Sequence, residues 1–230
     1  MYFVKRLQRL GLAICLLTLA SPLAAERRLC ANPLFVAVGT DTDTLARVCR
    51  IASDTLTYFE ACGVPLNRSI EIELIEAFEG PMKHCVGLYR CGQDKIEVLT
   101  PDALSEKRDR AGAFVEISDQ AYWESIIVHE LTHAAYDVVA CPFLSCVATS
   151  EYASYVMQVR SLPYEERRLF GQTIQLRGVP TDDAISPIML FMAPDYFATL
   201  AWQHFQNRDD PCAYMTYIMQ GDLFFDRDLP

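Results

Sequence analysis

The sequence predicts an α+β protein, and three observations carry that expectation. Residues 69–75 alternate Ile70, Ile72 and Leu74 with Glu71, Glu73 and Ile75, the two-residue period of a half-buried strand. Apolar residues recur at helical spacing over 42–61 and over most of 119–220. Strand signals therefore precede a helical second half instead of alternating with helices, which predicts helices packed on one side of a small sheet.

The elements follow in order. Lys5, Arg6 and Arg9, an apolar run over 10–20 and the small-residue exit Ser21-Pro22-Leu23-Ala24-Ala25 make residues 1–25 a secretory signal peptide, cut after Ala25. The apolar run is short for spanning a bilayer. Residues 26–230 are long enough for one good core, so a single domain is expected, with a sheet-containing part at about 26–118 and a helical part at about 119–230. Leu45, Val48, Ile51, Leu56 and Phe59 give one face of a helix over 42–61, with Gly63 just past its end. Two further strands are expected at 86–90 and 95–100, around the turn Cys91-Gly92-Gln93-Asp94. The polar stretch 102–110 reads as a loop or short helix. Ser118 or Asp119 caps a helix over about 120–139, which has ended by Pro142. A helix over 149–161, another from Tyr164, and helical spacing over 184–220 broken near Pro194 and Pro211 complete the chain. Trp123, Phe191, Phe197 and Trp202 read as core.

Composition narrows the partners. The full chain carries a net charge of −10, and removing the three basic residues of the leader takes it to about −13. Such an acidic surface argues against nucleic acid and anionic membrane as partners. No stretch beyond the leader could span a membrane, so no stable insertion is expected after its removal. Eight of the nine cysteines lie beyond the leader. An even count in an exported chain suggests up to four disulfides, which places the protein in the periplasm or outside the cell. Cys141 and Cys146 flank a short loop and form a plausible local pair. Cys85 and Cys91 are hard to join, because six extended residues span about 20 Å. Nothing in the sequence indicates an oligomeric state.

The chemistry lies in His129-Glu130-Leu131-Thr132-His133. Two histidines four apart share one helical face, so both imidazoles reach a single metal ion, and Glu130 sits at the rim of that face. Ser125-Ile126-Ile127-Val128 before it and Ala134-Ala135-Tyr136 after it supply the uncharged flanks that a buried metal-binding helix needs. A catalytic zinc takes three protein ligands and keeps one position open. No histidine follows until His204, so a third ligand must be found elsewhere. Glu151 lies on a second helix and can approach from another direction. Asp137, on the same helix as the histidines, is better placed to orient a ligand. Glu124 and His204 are further candidates.

The helix 128–133 followed by Ser150-Glu151-Tyr152-Ala153 resembles the gluzincin class of zinc metallopeptidases, over about residues 69–160. The resemblance implies a zincin-like sheet with an active-site helix and one Zn²⁺ per chain. It implies that His129, His133 and Glu151 bind the metal and that Glu130 is the catalytic carboxylate. Many gluzincins have an asparagine where Ser150 stands and a buttressing aspartate where Tyr155 stands. Asp137 and Tyr155 are then the candidates for supporting the ligands. Tyr196 and His204 are candidate donors to a tetrahedral oxyanion. The expected activity is hydrolysis of a peptide or protein substrate by a metal-activated water, with Glu130 moving the proton. The competing expectation is a zinc-containing, non-catalytic envelope binding or assembly protein.

Overall fold

The computed structural model describes residues 25–227, so all but the last residue of the expected leader lies outside the described residues. Five strands form one sheet: β1 (Glu26–Leu29), β2 (Phe35–Gly39), β3 (Ile70–Ile75), β4 (Gly87–Arg90) and β5 (Lys95–Leu99). Their order is β1-β2-β3-β5-β4. The central strands β2, β3 and β5 run parallel, and β1 and β4 are antiparallel edges. Parallel neighbours need a crossover, and α1 (Thr42–Ala61) provides it between β2 and β3.

The sheet is one-sided, as the alternation in 69–75 predicts. Ala37, Ile72, Ile96 and Tyr89 lie in register across four strands and are all buried. On the other face Glu73 stands opposite Glu97, and that like-charge pair is relieved by Lys95, 2.5 Å from Glu73, and Arg90, 2.5 Å from Glu97. Two strands were not legible in sequence. Phe35-Val36-Ala37-Val38-Gly39 is a continuous apolar run buried along most of its length, so it lacks the alternation that marks a half-exposed strand. β1 is only four residues long and sits at the edge.

The buried face is covered by α1, α2 (Pro101–Lys107) and α3 (Asp119–Tyr136). Ser118 caps α3 by accepting the Ala121 N–H. Thirteen of the 18 residues of α3 are buried, so it is a core element and not an amphipathic surface helix. The Trp123 indole N–H donates to the Leu99 carbonyl at 2.8 Å and pins α3 to β5. On its other side α3 packs along α4 (Val147–Ser161), and α5 (Tyr164–Thr173), α6 (Pro187–Met192), α7 (Pro194–Gln206) and α8 (Pro211–Gln220) complete the helical half. Pro194 and Pro211 stand at the first position of α7 and α8, where proline breaks no hydrogen bond. The architecture is α+β.

Trp123, Phe197 and Trp202 are buried as expected, but Phe191 is 71% exposed. It lies on α6, a six-residue helix that turns Ile188, Phe191 and Met192 to solvent, with Leu190 buried and Met189 partly buried against the core. Three disulfides close Cys30–Cys49, Cys62–Cys212 and Cys141–Cys146, while Cys85 and Cys91 are free thiols beyond the two ends of β4. These bonds fit an exported chain. Among the described residues, no helix is long and apolar enough to cross a membrane.

Candidate metal centre

Helical spacing places His129 and His133 one turn apart on α3, and the packing of α4 against α3 brings Glu151 onto them. The two Nε2 atoms lie 3.1 Å apart. Glu151 Oε2 is 3.4 Å from His129 Nε2, and Oε1 is 3.4 Å from His133 Nε2. The carboxylate thus faces both imidazoles, one oxygen toward each, and one ligand atom from each of the three residues lies within 4.8 Å of the others. Together the three residues can hold a metal ion.

Hydrogen bonds fix which atoms face inward. Ser125 donates its hydroxyl to the Tyr122 carbonyl at 2.7 Å, and Gln158 Nε2 donates to Ser125 Oγ at 3.2 Å. Gln158 Oε1 is thereby left to accept from His129 Nδ1 at 2.9 Å. His129 must then carry its proton on Nδ1, which leaves a bare lone pair on Nε2. His133 Nδ1 is likewise held, by Ser150 Oγ at 2.9 Å. Two imidazole nitrogens and a carboxylate turned toward one point repel one another unless a cation or protons join them, and a divalent ion removes that cost. Burial pushes the Glu151 carboxyl up, but when the two histidines carry the protons that face it, they outweigh burial and hold it well below the usual carboxylate range; a bound cation would act in the same direction.

Glu130 points from the same turn of α3 toward β4. Its Oε2 accepts the Tyr89 N–H at 2.8 Å. Burial lifts its carboxyl to about 7, with the charge of Glu151 adding to the rise and His129 and the Tyr89 N–H opposing it. The approach of β4 depends on a glycine. A Cβ on Gly87 would lie 2.7 Å from Glu130 Oε1 and 2.7 Å from Ile126 Cγ2, so a larger residue would displace the carboxylate or the strand. All four groups line a cleft of about 730 Å³ whose far walls include Phe114, Tyr122 and Pro194.

The structure separates the remaining candidates. Tyr155 lies edge-on to His129, with ring centroids 4.9 Å apart, and lines the cleft; burial and the charge of Glu151 raise its hydroxyl far above the ordinary tyrosine range. Asp137 touches neither histidine ring nitrogen. As the C-terminal cap residue of α3 it accepts from the Tyr89 hydroxyl at 2.9 Å and the Gly92 N–H at 3.2 Å, and pairs with Arg68 at 3.4 Å. It ties the helix end to the β4–β5 hairpin. Glu124 faces Arg50 and Gln120, away from the centre. Tyr196 is half-buried on α7 and does not line the cleft. His204 is fully buried and has both ring nitrogens engaged, by the Tyr152 hydroxyl at 2.9 Å and by Asp182 at 2.9 Å, beside a different pocket. The two expected oxyanion donors are thus not brought to the metal centre.

Sequence reasoning missed Gln158, Ser125 and Gly87. Gln158 is seven residues past Glu151 and so on the same face of α4, and a glycine inside a strand marks a close approach; both signals were present.

No curated protein and no solved structure matches the chain. A family model matches residues 35–228, and the chain belongs to that family, the family of unknown function DUF6639.

Proposed function

We propose that the protein is an exported zinc-dependent peptidase. The observation that carries this reading is the pairing of a three-ligand set with an adjacent buried carboxyl raised to about 7. A centre that served structure alone would use neither an open cleft nor Glu130. His129, His133 and Glu151 would hold one zinc ion. When bound, zinc supplies Lewis acidity, polarising a scissile carbonyl and making water nucleophilic near neutral pH.

The chain's own groups do the rest. Gln158 and Ser150 orient the two imidazoles, which keeps the lone pairs on Nε2 directed at one point. Glu130, held beside the centre by α3, takes a proton from the attacking water and returns it to the nitrogen of the leaving amine. The Tyr89 N–H anchors one of its oxygens and leaves the other for that transfer. Tyr155, on the cleft wall beside His129, is better placed than Tyr196 or His204 to donate to a developing oxyanion. The cleft wall also includes Leu88, Phe114, Tyr122, Ile126 and Pro194, with Asp137 and Asp195 as further acidic groups and no lysine or arginine among its lining residues, which suits a neutral or basic polypeptide segment.

The test is to incubate zinc-loaded wild type and Glu130→Gln with a diverse peptide library. Cleavage products from the wild type alone are expected. Equal products from both proteins, or none from either while zinc is bound, would sink the peptidase reading; the second result leaves a zinc-containing binding protein.

A further inference from the structure

Glu151 and Ser150, the ligand of α4 and the group that holds His133, lie within the first five residues of their helix. That is where a helix frays most readily, because its first N–H groups have no partner within the helix. The residue at the capping position, Cys146, is committed to a disulfide and makes no side-chain capping bond. Ala148 and Thr149 in this turn are fully buried, so water cannot serve their N–H groups.

The missing partner comes from the other end of the chain. Asp226, only 2% exposed, accepts the Ala148 N–H on Oδ1 at 2.9 Å and the Thr149 N–H on Oδ2 at 2.9 Å. The Thr149 hydroxyl donates to the same Oδ2 at 2.6 Å and accepts the Phe225 N–H at 2.8 Å. The Phe225 ring packs on Tyr152, the residue after Glu151, with centroids 4.6 Å apart. Every one of these bonds spans more than 70 residues of sequence.

We propose that the C-terminal tail is a clasp coupled to metal binding, with Asp226 as a positioning residue for Glu151. The inference rests on His129, His133 and Glu151 being a metal centre. With the clasp shut, the first turn of α4 is helical and the third ligand stands in register with the two histidines. With it open, the turn loses its cap and binding must supply the free energy of re-forming it. Coupling of this kind is reciprocal: a metal ion that needs the clasp shut must also hold it shut.

The experiment measures zinc affinity by competition with a chromophoric chelator for wild type, Asp226→Asn, and Leu45→Ala, a core truncation on α1 that does not line the cleft. Asp226→Asn is expected to weaken zinc about ten- to a hundredfold at a temperature where it is folded, while Leu45→Ala stays within about threefold of wild type. In parallel, zinc is expected to slow amide hydrogen exchange at Thr149, Phe225 and Ala148 in wild type and not in His129→Ala. If Asp226→Asn fails to fold, the exchange measurement on wild type decides alone. Unchanged affinity in Asp226→Asn, an equal loss in Leu45→Ala, or exchange indifferent to zinc overturns the clasp and leaves the metal centre standing. A wild type that binds no zinc overturns both.

Discussion

Helices α3 and α4 bring candidate metal ligands to the same point and are held there by different means. α3 is specified locally: Ser118 caps it, its two ligands sit mid-helix one turn apart, and burial on nearly all sides holds it rigid. α4 lacks a side-chain cap at its own start, and its candidate ligand, Glu151, is only its fifth residue. Its register depends on a carboxylate 78 residues away in sequence from Ala148 and on the relay through Gln158 to Ser125 on α3. Half of this centre is thus a property of one helix, and the other half is a property of the fold. Substitutions on the two helices are expected to fail in different ways.

The largest effect is expected from the ligands themselves. His129→Ala and Glu151→Ala should each abolish stoichiometric zinc binding, measured as metal per chain after dialysis. Retention of one zinc per chain by Glu151→Ala would make α4 dispensable and dissolve the contrast. Next is Glu130→Gln, which should keep the metal and lower turnover by about 10²–10⁴-fold. The same substitution has a signature in stability. An acid whose folded-state pKa lies above its ordinary value of 4.5 binds its proton more tightly in the folded chain than in the unfolded one. The metal-stripped wild type should therefore lose stability as pH rises from about 4.5 to about 7 and stay level above that. Glu130→Gln removes that slope and should be the more stable protein at pH 8 by up to about 3 kcal/mol. Urea titrations at pH 5 and pH 8 check the sign.

Gln158→Leu comes third. It removes the acceptor that sets the His129 tautomer and should weaken zinc about ten- to a hundredfold with α4 intact by circular dichroism. The smallest effect distinguishes the helices most directly. Ser118→Ala deletes the local cap of α3 and should cost about 1 kcal/mol of stability, read by thermal melting, with zinc affinity unchanged, because the ligands of α3 lie ten or more residues further along. A loss of affinity in Ser118→Ala would mean that α3 is no more self-sufficient than α4.

How much of this was legible in advance follows the same division. His129, Glu130 and His133 are recognisable because a four-residue interval on a helix is a local geometric fact. Glu151 is legible because two histidines leave a tetrahedral ion short of a third protein ligand. Its approach to the histidines needed the α3–α4 packing, yet the short connection between the helices left few alternatives. Phe191 misled because an apolar residue at helical spacing is buried only if the helix has a partner on that side, and α6 is too short to turn it inward. Tyr196 and His204 misled because their chemistry was right and their location could not be read: α7 delivers His204 to Tyr152 on another face of α4 from Glu151. β2 carries no two-residue period because Phe35, Val36, Ala37 and Val38 are all apolar, whichever face of the sheet they are on.

The amino-acid sequence by itself determined the α+β class, the helical second half, the two histidines on one face of α3 with a glutamate at its rim, and a third candidate ligand on the next helix. These depend on residue spacing within one element or between neighbours, which periodicity records directly. Only the tertiary structure decided that Gly87 brings β4 onto Glu130, that Gln158 and Ser125 set a tautomer, and that Asp226 completes the first turn of α4. Each of these is a contact between residues far apart in the chain, and no local pattern encodes which distant backbone will arrive to satisfy a buried N–H.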